Sequence, residues 1–112
     1  MKIEGDGKLL RVFVGESDRY KGRPLFEAIV HTARSLGLAG ATVWQGIEGY
    51  GAHSRIHTAK ILRLSEDLPI IVEIVDSEEK IRGLLPHIDA MMEAAHSGGL
   101  VTLEKAEIIR YR

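Results

Sequence analysis

The stretch Gly40-Ala41-Thr42-Val43-Trp44-Gln45-Gly46-Ile47-Glu48-Gly49-Tyr50-Gly51, continuing as Ala52-His53-Ser54-Arg55-Ile56-His57-Thr58, reads as an apolar strand that runs into a polar loop. Ala41 to Ile47 forms the strand. Glycines at a strand end let a backbone approach a ligand closely and expose its N–H groups. The hydroxyl, imidazole and guanidinium groups of His53, Ser54, Arg55 and His57 are donors suited to an anion. The pattern is that of a binding loop rather than a catalytic centre.

Upstream, Leu9 to Val14 is an apolar run broken only by Arg11, consistent with a strand. Gly15 to Gly22 is polar and turn-like. Pro24 suits a first helical position, and Leu25, Phe26, Ile29, Val30, Ala33 and Leu36 fall on one helical stripe that Gly37 can close. Downstream, Thr58 to Leu64 is extended, and Pro69 precedes a strand over Ile70–Val75. Asp76 and Glu79 have capping-box spacing. Ile81, Leu84, Leu85, Ile88, Met91, Met92 and Ala95 make a second stripe, interrupted by Pro86, which removes one backbone hydrogen bond. Ser97-Gly98-Gly99 is a loop, and the last strand lies within Val101–Tyr111, from Ala106 onward.

The order is β-α-β-β-α-β. It predicts an α+β, ferredoxin-like split sandwich, with two helices on one face of an antiparallel sheet. Both faces of the strands are apolar: Leu10, Val12 and Val14 oppose Leu9 and Phe13, and Ile70, Val72 and Ile74 oppose Ile71 and Val75. Two helices cover one face, so the other needs a second cover. Another copy of the chain is the expected one.

Composition narrows the functional classes. A chain of 112 residues reads as a single domain over residues 1–112. Its formal net charge of -1 offers no global basic field for nucleic acid, and the surface aromatics of an RNA-binding sheet are missing. With no cysteine there is no disulfide, thiolate metal site or Cys nucleophile. Charges break every apolar run short of a membrane span, and Met1 to Lys8 lacks a signal-peptide core. The expected setting is cytoplasmic and not membrane-embedded. The chain has no Asn and one Gln, Gln45, and is 28% charged, a profile that fits a thermophile's protein.

These residues carry a resemblance. Gly40-Ala41-Thr42-Val43 leading to Gly49-Tyr50-Gly51, Leu68-Pro69 before Ile70-Val72-Glu73-Ile74-Val75, Ser97-Gly98 after the second helix, and an Arg-containing last strand together resemble a PII-like signalling protein. Gly37 to Val43 and Leu64 to Pro69 are similar to an uncharacterised branch of that superfamily. The resemblance implies a homotrimer with inward-facing sheets, and an adenine nucleotide (AMP, ADP or ATP) or similar anion bound in clefts between subunits, with no required cofactor. It implies action through an unidentified protein partner. Site positions carried over on this basis are Gly49, Gly51, Ser97, Gly98 and Arg110, with Arg112 beside it; Gly99 belongs to the same loop. The chain departs from PII in its shortened loop, about Ala52–Thr58, and in lacking the Gly-Asp-Gly-Lys pattern after the second helix.

Plainer readings stand beside these. Gly49-Tyr50-Gly51 also suits a tight turn. Arg55 is either solvated or a phosphate partner. Arg11 in an apolar strand calls for a partner, and Glu73 is the natural one. Glu16 and Asp18 form either a carboxylate pair or an ordinary polar turn. Phe13 and Trp44 read as interface or core. Three functional classes follow: a non-catalytic regulatory module first; a small phosphate-handling enzyme second, although no Ser-His-Asp order or paired-acid signature is present; and a trimeric metal-tolerance-type protein third, with His53 and His57 four apart as its ligands.

Overall fold

The computed structural model describes residues 5–51, 57–58 and 67–112. Four strands and two helices make the frame: β1 (Gly5–Gly15), α1 (Leu25–Ser35), β2 (Thr42–Gln45), β3 (Pro69–Asp76), α2 (Glu78–Ala94) and β4 (Leu100–Ile108). The sheet order is β2-β3-β1-β4, and every neighbouring pair is antiparallel. The β1-α1-β2 crossover leaves a slot that β3 fills, which is the split arrangement expected from the sequence. Two-residue ladders sit outside the sheet, Arg19–Tyr20 with Arg23–Pro24 and Glu48–Gly49 with His57–Thr58.

The core lies between one sheet face and the helices. Leu10, Val12, Val72 and Ile74 from the sheet meet Leu25, Ile29, Ile81, Leu84 and Ile88, all essentially without solvent contact. These residues alternate along the strands and recur at helical spacing along α1 and α2, so the two periodicities bring them to one seam.

Several boundaries differ from the sequence reading. Pro24 is the N-cap of α1 rather than its first turn, and Leu36 is the C-cap, 39% exposed and outside the helix. The N-cap of α2 is Ser77, whose Oγ accepts from the Lys80 N–H. Asp76 is not a capping-box residue. Its buried carboxylate accepts from the Ala39 N–H at 2.9 Å and the Ser77 N–H at 2.7 Å, tying the approach to β2 onto the start of α2. The last strand begins at Leu100, six residues before the expected start at Ala106: pairing with β1 from Phe13↔Leu100 onward recruits Glu104 and Lys105 despite their polarity. Of the expected extended segment over Thr58–Leu64, Thr58 is strand, and the remainder lies outside the described residues.

Candidate functional site

The loops at one end of the sheet converge on a groove of about 470 Å³. Its lining joins Phe13–Gly15 at the end of β1, Gly46 and Glu48–Gly51 after β2, Pro69 and Ile71 of β3, and His96, Gly98, Gly99 and Leu100 entering β4. Backbone bonds hold this end together: the Glu16 N–H donates to the Leu68 carbonyl at 2.9 Å, and the Gly46 N–H to the Pro69 carbonyl at 2.7 Å. Gly99 is required where it stands, because a Cβ there would collide with the Phe13 carbonyl. Gly51, by contrast, has open space on that side, on the groove wall.

Polar side chains tie the loops to one another. Asp18 Oδ2 accepts from the Gly15 N–H at 2.9 Å and from Ser97 Oγ at 2.8 Å. One carboxylate therefore clasps the turn after β1 to the loop after α2. Asp67 Oδ1 accepts from the Ser17 N–H at 3.0 Å. Glu16 does not pair with Asp18; its Oε2 accepts from Gln45 Nε2 at 2.9 Å.

The sequence-derived site residues divide into three groups. Gly49, Gly51, Gly98 and Gly99 line the groove, and Ser97 adjoins it with its hydroxyl committed to Asp18. Both glycine loops line it from the same chain. Arg110 lies elsewhere, lining a cavity of about 680 Å³ with Gly40–Thr42, Val75 and Tyr111. That cavity sits at the other end of β3, an eight-residue strand that spans roughly 25 Å. Arg112 is exposed at the chain end. His53, Ser54 and Arg55 lie outside the described residues, and His57 is placed only through its backbone ladder to Gly49. Among the described residues no three His, Cys, Asp or Glu side chains gather as metal ligands.

Glu48, Asp67 and His96 are lining residues that no sequence motif singles out, and Asp18, which the sequence leaves open between a carboxylate pair with Glu16 and a polar turn, joins them. His96 adopts a positive φ of 54° between the end of α2 and Gly98. Its place after a helical stripe and before Ser-Gly-Gly was the available signal. The described lining thus offers three carboxylates, one imidazole, and no Lys or Arg.

The open sheet face carries a second polar arrangement. Arg11 Nε meets Glu73 Oε2 at 2.8 Å, Trp44 Nε1 donates to Glu73 Oε1 at 2.9 Å, and Arg11 also approaches Glu104 Oε1 at 3.3 Å. Arg11 and Glu73 are register partners, as anticipated. The hydrogen bond from Arg11, aided by that from Trp44, holds the Glu73 carboxyl below its ordinary range. The same bond raises the Arg11 guanidinium further.

Comparison with known proteins places the chain. The family model DUF190 (Uncharacterized ACR, COG1993) matches residues 7–108. A UPF0166 protein of Aquifex aeolicus is 41% identical over 102 residues, covering 91% of this chain and 92% of the relative. Among solved structures, the fold is similar to CPII of Thiomonas intermedia K12, a nitrogen regulatory PII-like protein bound to ADP, AMP and bicarbonate. The TM-score is 0.70 at 17% identity, over 96% of this chain and 91% of that one. A phage SAM lyase in complex with S-methyl-5'-thioadenosine is similar at TM-score 0.50 and 16% identity, over 98% of this chain and 88% of that one. Among the described residues, no helix is long and apolar enough to cross a membrane.

Proposed function

The chain belongs to the DUF190 family, and we propose that it is a PII-like regulatory module that binds an adenine nucleotide or similar anion without turning it over. The observation that carries this reading is the convergence of two loops distant in sequence, Gly49–Gly51 and Gly98–Gly99, on one groove. CPII, the similar fold, is bound to ADP and AMP. Close backbone approach at glycines suits a flat base or a phosphate, and an apolar wall from Phe13, Ile71 and Leu100 suits a base face.

The working unit is a homotrimer with the open sheet faces inward. Phe13, Trp44, Val75 and Leu100 stand on that face, with Trp44 and Leu100 each 56% exposed in the single chain. Arg110 and Arg112 lie a sheet length from the groove within one chain, so they reach it only from a neighbouring copy. Regulation then works through a protein partner that senses the occupied groove.

Calorimetric titration of adenosine, AMP, ADP and ATP, run beside a phosphate-release assay, tests this. Saturable binding of an adenine nucleotide without phosphate release is expected, weakening as salt screens exposed ion pairs. Steady turnover lost on His53→Ala or His57→Ala would move the protein to the enzyme class. Tight binding of a divalent metal lost with the same changes would favour the metal-tolerance reading.

A further inference from the structure

We infer that the hairpin spanning Arg19–Pro24 supplies the cations that pair with the phosphate groups of a nucleotide seated in the glycine groove. This rests on the nucleotide reading above and adds to it a set of residues on a different element.

Charge balance poses the problem. The described groove lining carries the carboxylates of Asp18 and Glu48 and no Lys or Arg. A phosphate brought beside carboxylates needs cationic partners, each best placed to make charge-assisted hydrogen bonds. The hairpin begins where the groove ends. Asp18 lines the groove and is clasped by Ser97. Arg19 is the next residue, and the Leu25 N–H donates back to the Asp18 carbonyl at 2.8 Å, so the hairpin closes on that same residue. The Arg19–Tyr20 strand packs against both helices and Arg23–Pro24 against α1, and α2 runs at its C-terminal end into His96 and Gly98.

Arg19, Lys21 and Arg23 are all exposed, and among the described residues none of them has a carboxylate at ion-pair distance. Three cations thus occupy alternate positions of a five-residue stretch in a chain of net charge -1. Their scaffold is preorganised. Lys21 (φ 51°) and Gly22 (φ 81°) take the two positive-φ positions of a two-residue hairpin turn, which Asn-Gly or Gly-Gly fills with less strain. A lysine in the left-handed region at such a turn costs stability. Its ammonium lies 5.3 Å from the centroid of the Tyr20 ring, and Tyr20 itself is anchored against the core. The strained position therefore presents a held cation rather than a free one.

The experiment is titration of adenosine, AMP, ADP and ATP into the wild type and the triple variant Arg19→Gln, Lys21→Asn, Arg23→Gln, at two salt concentrations. Asn at position 21 keeps the turn while removing the charge. ATP affinity is expected to fall about tenfold or more, from three partly exposed pairs. AMP should lose less, adenosine should stay within about twofold, and the salt dependence should become shallower. Lysine at positions 19 and 23 should restore most of the loss. Unchanged ATP affinity in the triple variant overturns the inference, as does an equal loss for adenosine. So does an Arg110→Gln variant that alone removes the whole gain from adenosine to ATP. A wild type that binds no nucleotide overturns the nucleotide reading and this one together, whereas nucleotide binding unaffected by the triple variant overturns only this one.

Discussion

The two faces of the sheet are written in nearly the same alphabet and end in different states. On the helix side, Leu10, Val12, Val72 and Ile74 are closed off completely. On the other side Leu9, Phe13, Ile71 and Val75 alternate with them along β1 and β3, and they remain half-buried or exposed. Side-chain chemistry does not distinguish the faces; cover does. The open face also differs in its centre, where Arg11, Trp44, Glu73 and Glu104, one from each strand, form a hydrogen-bonded ionic cluster. A face meant for water does not need that much apolar surface, and a core does not tolerate that cluster without partners. An apolar field around a satisfied polar centre suits an interface between copies.

The helix face should be the more sensitive of the two. Ile74→Ala removes methyl groups at a position with 1% exposure, and the loss should be roughly 2–5 kcal/mol, read by denaturant unfolding. The same truncation at Ile71, on the open face of the same strand, should cost clearly less in a diluted, dissociated sample. Equal losses there would erase the distinction between the faces. Next in size is Asp76, the one buried charged group among the described residues: Asp76→Ala strands the Ala39 and Ser77 N–H groups. The expected cost is about 2 kcal/mol. Asp76→Asn should recover part of it, because the amide keeps one acceptor.

On the open face the larger effect is on assembly, not on folding. Phe13→Glu places a charge in the apolar field beside Trp44 and Ile71, which line the same hollow. Light scattering should show three chain masses for the wild type and one for the variant, while far-ultraviolet dichroism stays the same. A wild type that is a clean monomer would end the interface reading of this face. The single tryptophan, Trp44, gives an independent readout: dilution through dissociation should shift its emission to the red.

How much of this was legible in the sequence follows from what each signal depends on. The element order was readable because the helical stripes carry a 3.6-residue period and β1 and β3 are short apolar runs bounded by turn residues. The Arg11–Glu73 pair was readable because a charge in an apolar strand demands an opposite one, and the third strand held a single candidate. The start of β4 was not readable: Glu104 and Lys105 look like loop until β1 supplies partners across the ladder. The role of Asp76 was hidden for a similar reason, since its capping-box spacing with Glu79 is local while its bond to Ala39 is not. At the groove, the glycines were visible as punctuation, but that Asp18, Glu48 and His96 share its lining with them is a property of the sheet order. No local pattern encodes it.

The smallest expected effect separates the two faces by pH. Glu73 on the open face and Glu78 on α2 both have carboxyls held below their ordinary range, Glu73 chiefly by Arg11 and Glu78 chiefly by Arg82, four residues on. A carboxyl whose folded pKa is depressed contributes stability that is present above the unfolded value, about 4.3, and is lost as pH falls through the folded value. Both groups should therefore weaken the fold only in the acid range, and neither should produce a pH dependence between about 6 and 8. They should differ in their response to concentration. The Glu78–Arg82 pair stays on a solvated helix surface, so its contribution should be small, salt-sensitive and independent of protein concentration. In the proposed assembly the Glu73 cluster is covered by a second copy, where screening falls and each lost hydrogen bond counts for more. Acid unfolding followed at micromolar and at tenfold lower concentration should show a concentration-dependent midpoint for the wild type. Glu73→Gln should remove most of that dependence, and Glu78→Gln should leave it intact. A midpoint equally dependent on concentration in Glu73→Gln would mean that the ionic cluster faces water in the assembly too, and that the apolar residues around it alone form the contact.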